Sequence, residues 1–154
     1  MGNFDDVHEM ICEKLPDYER ATLLSRTYFE ELSWLFRGLT EQQLCREMLP
    51  AIYQKRQEDY GGPHDLALLF TVFSLGVLVQ DNGSPAEAEH FHQVSRAALG
   101  LQPVLEKPSI VTIQTLHLMS IYNSMNGLDS SGDTSMEMTW SLVTMAAHLG
   151  QNVT

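Results

Sequence analysis

Cysteine is nearly missing from this chain of 154 residues: only Cys12 and Cys45 occur, far apart. Two thiols without a secretory leader or a dense cysteine framework do not make a disulfide scaffold, and they read as reduced thiols of an intracellular protein. Basic residues are equally sparse, with 9 Lys plus Arg against 20 Asp plus Glu and a net charge of −11. Polyanion binding works by clustered cations that release counterions from phosphates. The nearest approach to a cluster is Lys55-Arg56, so direct nucleic-acid binding is not expected. An anionic membrane surface is disfavoured on the same ground. The longest apolar run, "LALLFTVFSLGVLV" over 66–79, has 14 residues. A bilayer needs about 20, so the run reads as a buried core helix. GxSxG, P-loop, GxGxxG, CxxC and HExxH patterns are all missing, so no catalytic residue, cofactor site or metal site is expected.

What is present is helical. Hydrophobic residues make up 44% of the chain, enough for a packed core, and they recur mainly at three- and four-residue steps. A short amphipathic segment over 4–15 ends at Pro16. A helix over 17–37 places Leu24, Tyr28, Leu32 and Leu35 on one face, widened by Leu23, Phe29, Trp34 and Phe36. So wide an arc predicts more than one partner helix. Gly38 stops it, and Thr40 to Gln43 forms a capping box for a helix reaching about Gln57, with a break at Pro50. "DYGGPHD" (59–65) reads as a loop, followed by a helix over 65–80.

Ser84 to Glu87 is a second capping box with Pro85 at the first helical position, and Gly100 marks the end of that helix. Ser109 is the N-cap of a helix over 110–125, apolar almost all round and therefore expected at the centre. A loop and a last helix over 136–149 complete the chain. Residues 65–99 and 110–149 thus read as two helix–loop–helix units. The fold class is all-α, with stacked antiparallel helix pairs and about six to eight helices. Residues 1–16 are a helical lead-in to one domain over 17–154.

Three groups of residues invite a chemical reading. "EAEHFH" (87–92) holds two glutamates and two histidines. His90 and His92 lie about 200° apart around a helix, whereas a metal-binding pair needs a step of three or four. Glu89 with His92, and His92 with Arg96, have the spacing of solvated surface pairs, so the stretch is expected to be an outer helix face. Gln114, His117, Ser120 and Ser124 form a polar strip on the 110–125 helix. Such a strip lines a small pocket or, more commonly, a polar seam between helices. His148 suits the dipole of the last helix end. Met119, Met125, Met136, Met138 and Met145 suit ordinary core packing.

The order of segments carries a resemblance. "YFEELSWLFRGLTEQQLCREMLPAIY" (28–53), "LALLFTVFSLGVLV" (66–79), "AEAEHFHQVSRAAL" (86–99), "PSIVTIQTLHLMSIYNSMNG" (108–127) and "TWSLVTMAAHLGQ" (139–151) follow one another. Together they resemble the fungal-specific transcription factor domain, the middle homology region of fungal zinc-cluster regulators, over roughly residues 17–151. The resemblance implies a non-catalytic regulatory domain acting in the nucleus, held together at Tyr28, Phe29, Trp34, Phe91, Gln114, Leu116, Tyr122 and Trp140. Its partners would be other proteins or the rest of a transcription factor. The family's six-cysteine, two-zinc DNA-binding module is not in this sequence. The family's domain also continues past the tryptophan helix, so this chain reads as its N-terminal part, incomplete at the C-terminus. Val143 and Leu149 would then form an uncovered patch that favours self-association. The alternatives are a stand-alone helical adaptor or short isoform acting by protein–protein interaction, and a small-molecule sensor using the His117 strip.

Overall fold

The computed structural model describes residues 2–34, 38–54, 62–80, 82–101 and 109–126, with side chains from 6 to 125 within those ranges. Its elements are α1 (Gly2–Glu13), α2 (Tyr18–Glu31), a π-helical segment (Gln42–Met48) running into α3 (Leu49–Tyr53), α4 (Pro63–Val79), α5 (Pro85–Gly100) and α6 (Ile110–Asn126). Among the described residues the fold is all-α, with helices packed on helices. The 136–149 segment, with Met136, Met138, Trp140, Val143, Met145, His148 and Leu149, lies outside the described residues.

Among the described residues the centre of the fold is α4 rather than α6. Every residue from Leu66 to Val77 is buried, and α5, α2, α6 and α1 all pack against this helix. The sequence pattern fits, because α4 has no polar stripe to turn outward. By contrast α6 presents Ile110 and Ser124 to the outside. α5 returns antiparallel to α4: Phe91 meets Phe70 and Phe73 with ring centroids 5.9 and 5.8 Å apart, while Ser95 reaches back to Ala67. The turn between them depends on Gly83, where a Cβ would lie 1.9 Å from the Val77 carbonyl oxygen.

Asp17 caps α2 by accepting the Arg20 N–H at 2.7 Å. Arg20 then meets Glu87 at the start of α5, and the backbone of Leu24 lies against Gly76 of α4. These contacts fix α2 as antiparallel to α4. The expected broad inward arc of α2 is narrower than the sequence suggested. Ala21, Leu24, Ser25, Tyr28 and Leu32 are buried and Phe29 is half-buried, but Leu23 and Trp34 are exposed, and Leu35 and Phe36 lie outside the described residues. The helix ends at Glu31, so Trp34 sits in the turn beyond it, 68% exposed, with its Nε1–H donated to the Glu31 carbonyl at 2.8 Å.

The break expected at Pro50 takes another form. The chain winds as a π-helix before the proline, with the Leu49 N–H bonded to the Leu44 carbonyl five residues back. The wider turn lets a new α-helical segment start at Leu49, with Pro50 in its first turn, where a missing N–H costs little. α3 is then tied down by the Tyr53 hydroxyl, which donates to the Pro16 carbonyl at 2.6 Å, and by the edge of Tyr18.

Candidate functional site

Among the described residues, polar side chains of different helices or segments hydrogen-bond to one another at three places in the interior. The first lies where α4 and α6 begin side by side. The expected loop over 59–65 becomes helix at Pro63, because Gly62 acts as the cap and its N–H is accepted by Asp65 Oδ2 at 3.2 Å. His64 is thereby carried into the interior. On α6 the Thr112 N–H reaches Ser109 Oγ at 3.2 Å, and the Ser109 N–H reaches Thr112 Oγ1 at 3.3 Å. Thr112 Oγ1 also lies 3.0 Å from Ser109 Oγ and 2.6 Å from His64 Nδ1.

A hydroxyl that close to an imidazole nitrogen has the spacing of a nucleophile and its base. The hydrogen-bond inventory offers a structural role. A threonine hydroxyl has one proton and two lone pairs. The Ser109 N–H, the Ser109 hydroxyl and the His64 ring nitrogen can occupy all three at once. Thr112 is fully buried. The cluster is a staple between helix starts.

The second place uses a residue of the expected polar strip. Gln114 is buried and turns toward the π-helical segment. Its Nε2 donates to the Gly38 carbonyl at 2.7 Å and to Gln43 Oε1 at 2.9 Å, and Gln43 Nε2 donates back to Gln114 Oε1 at 2.8 Å. The rest of the strip does not converge with it. His117 is half-buried, and burial holds its imidazole below the usual range. Ser120 Oγ donates to the His117 carbonyl at 2.6 Å, and Ser124 is exposed. The third place is the α4–α5 seam. Thr71 Oγ1 and Ser95 Oγ lie 2.5 Å apart and both reach the Ala67 carbonyl, at 2.9 and 2.7 Å.

The opening of α5 corrects the expectation of a solvated face. His90 is exposed, but His92 is 3% exposed and stacks on Tyr122 of α6, with ring centroids 4.1 Å apart and planes inclined by 18°. Burial, with the Arg96 charge second, pushes its imidazole down to about 4. It is a neutral core ring, not a partner in surface ion pairs. Of the family-like positions, Tyr28, Phe91, Gln114, Leu116 and Tyr122 are buried, Phe29 is half-buried, Trp34 is outside the core, and Trp140 lies beyond the described residues. Burial also raises the Tyr28 and Tyr122 hydroxyls to about 12.

Cys12 and Cys45 are not joined by a disulfide, and both are half-buried. Burial first and Glu41 second push the Cys45 thiol up to about 11, against an opposing effect of Arg26, so it is a poor nucleophile. Two surface cavities adjoin α2. One of about 650 Å³ follows Asp17 to Arg26, and one of about 440 Å³ joins Arg20 to Gln80, Asn82, Gly83, Ser84 and Glu87. In both, the charges are mixed, and Arg20 is engaged by Glu87 at 2.5 Å. Among the described residues, no three or more His, Cys, Asp or Glu side chains gather as a metal site, and no helix is long and apolar enough to cross a membrane. No family model, curated protein or solved structure matches the chain.

Proposed function

We propose that this chain is a non-catalytic regulatory and interaction domain of the kind found in the middle of fungal zinc-cluster transcription factors, and that it works in the nucleus through protein contacts. The observation that carries this reading is the use made of buried polar groups. His64, Thr112, Gln43, Gln114, Thr71 and Ser95 satisfy one another across helix interfaces. Such networks favour one arrangement of the helices over others, which suits a scaffold that presents or restrains a neighbour. The net charge of −11 fits a segment that leaves DNA contacts to another module.

The resemblance in segment order supplies the family, and the transcript that encodes this chain tests it. An in-frame six-cysteine cluster upstream is the expected result. A reading frame confined to these 154 residues would overturn the transcription-factor reading and leave a free-standing adaptor. A second test tethers the chain to an unrelated DNA-binding domain beside a reporter gene. Reporter output should change with the chain present, and unchanged output would count against a regulatory role.

A further inference from the structure

We infer that the His92–Tyr122 ring stack is an acid-sensitive latch, and that protonating His92 uncouples α6 from α5 before the α2–α4–α5 core opens. Geometry carries the argument. The two rings join the middle of α5 to the C-terminal half of α6, each at most 3% exposed. The other side-chain hydrogen bonds of α6 to the rest of the fold described here, from Thr112 to His64 and from Gln114 to Gln43 and Gly38, lie in its N-terminal half and do not involve α5, while its apolar side packs on α4.

His92 Nδ1 is buried and has no hydrogen-bond partner. With the proton on Nε2, Nδ1 is a bare lone pair, which the interior tolerates. A second proton would create a buried N–H without an acceptor and a charge without a counter-ion.

Apart from the π face of Tyr122, the surroundings give that charge little help. On α5 itself, Arg96 opposes it. α6 carries Tyr122, a neutral phenol, and His117, and Glu89 of α5 acts on the Tyr122 phenol. The titratable groups of α4 are His64 and Asp65, both in its first turn. α1, which also touches α5, carries Asp6, His8, Glu9, Cys12 and Glu13 along its described length. Burial and Arg96 are what act on His92, and both favour the neutral ring.

The docked joint holds the neutral ring and the open joint admits the proton. Docking is therefore complete above about pH 6.5 and weakens as the pH falls from there toward 4, the window set by the ordinary and the folded values. Between those values, opening at pH 5 should exceed opening at pH 8 by about 30-fold.

Hydrogen exchange across pH 8 to 5, corrected for the intrinsic exchange rate, tests this on the full chain. Amides from Leu116 to Tyr122 should lose protection by that factor, and at each pH they should exchange through a smaller opening free energy than those from Leu68 to Leu75, whose exchange waits for the core to open. His92→Phe keeps a stacking ring that cannot take a proton, and it should abolish the difference. Protection in α6 equal to that in α4 at each pH, or the same pH response in H92F, would overturn the latch. If H92F does not fold, the wild-type imidazole resonance decides. Titration of His92 in step with α6 exchange supports the latch, and titration with α6 still protected refutes it.

Discussion

Gly76 is where the packing of α2 on α4 is most exposed to a single change. A Cβ built there lies 2.6 Å from the carbonyl oxygen of Leu24, 3.2 Å from its carbonyl carbon and 3.3 Å from its Cα. The nearest atom is main chain in the middle of a helix, so no side chain can swing aside. Gly76→Ala must therefore drive α2 and α4 apart by about 0.8 Å to restore ordinary contact. A gap of that size forfeits roughly a quarter to a half of the dispersion energy of each contact it opens. Leu24, Tyr28, Phe73 and Val77 are all core residues of these two helices. Overpacking of this kind costs about 1–3 kcal/mol, and replacing a mid-helix glycine returns about 0.5–1. The net loss should be about 1–2 kcal/mol, or a fall in Tm of roughly 2–8 °C for a domain of this size. Gly100→Ala is the internal control, because Gly100 ends α5 with nothing within 4 Å of its Cβ position. That variant should be neutral or stabilised. Urea melts of both, with unchanged slopes, give the comparison. A Gly76→Ala protein as stable as the wild type would refute the close approach of α2 to α4.

Gln114→Leu should cost about 1–2 kcal/mol in the same melts, because it strips the Gly38 carbonyl and the Gln43 amide of their partner at a part-buried site; a loss below about 0.5 would show that water replaces the amide pair. Thr71→Val and Ser95→Ala should each cost about 1–2 kcal/mol. Their double mutant should lose less than the two single losses combined, since the hydroxyls share one carbonyl; strict additivity would deny the network. Trp34→Ala should change stability by less than about 0.5 kcal/mol, the range for exposed positions, and a loss of several kcal/mol would restore Trp34 to the core.

Helix content was legible in the sequence because it rests on local signals: the periodicity of α2 and α5, Ser84 before Pro85, and the apolar run of α4. What the sequence could not supply was the destination of side chains with two good local options. Glu87 and Gln43 both stand third in a capping pattern, and each N-cap oxygen does accept the expected N–H, at 3.3 Å from Ser84 and 3.0 Å from Thr40. The carboxylate and the amide instead leave the cap for Arg20 and Gln114, 67 and 71 residues away. A reciprocal cap on an exposed N–H is a weak bond in competition with water, whereas a charged or buried amide partner offers more. His92 deceived for the same reason. Its neighbours at helical spacing, Glu89 and Arg96, are charged, so the local pattern reads as solvent. The ring that covers it, Tyr122, lies 30 positions further along the chain. Polar residues in this chain thus report the start of a helix through their backbone neighbours, while their side chains report which helices meet. Only the first kind of information is local, and the stapled helix starts, the amide pair and the histidine stack all belong to the second.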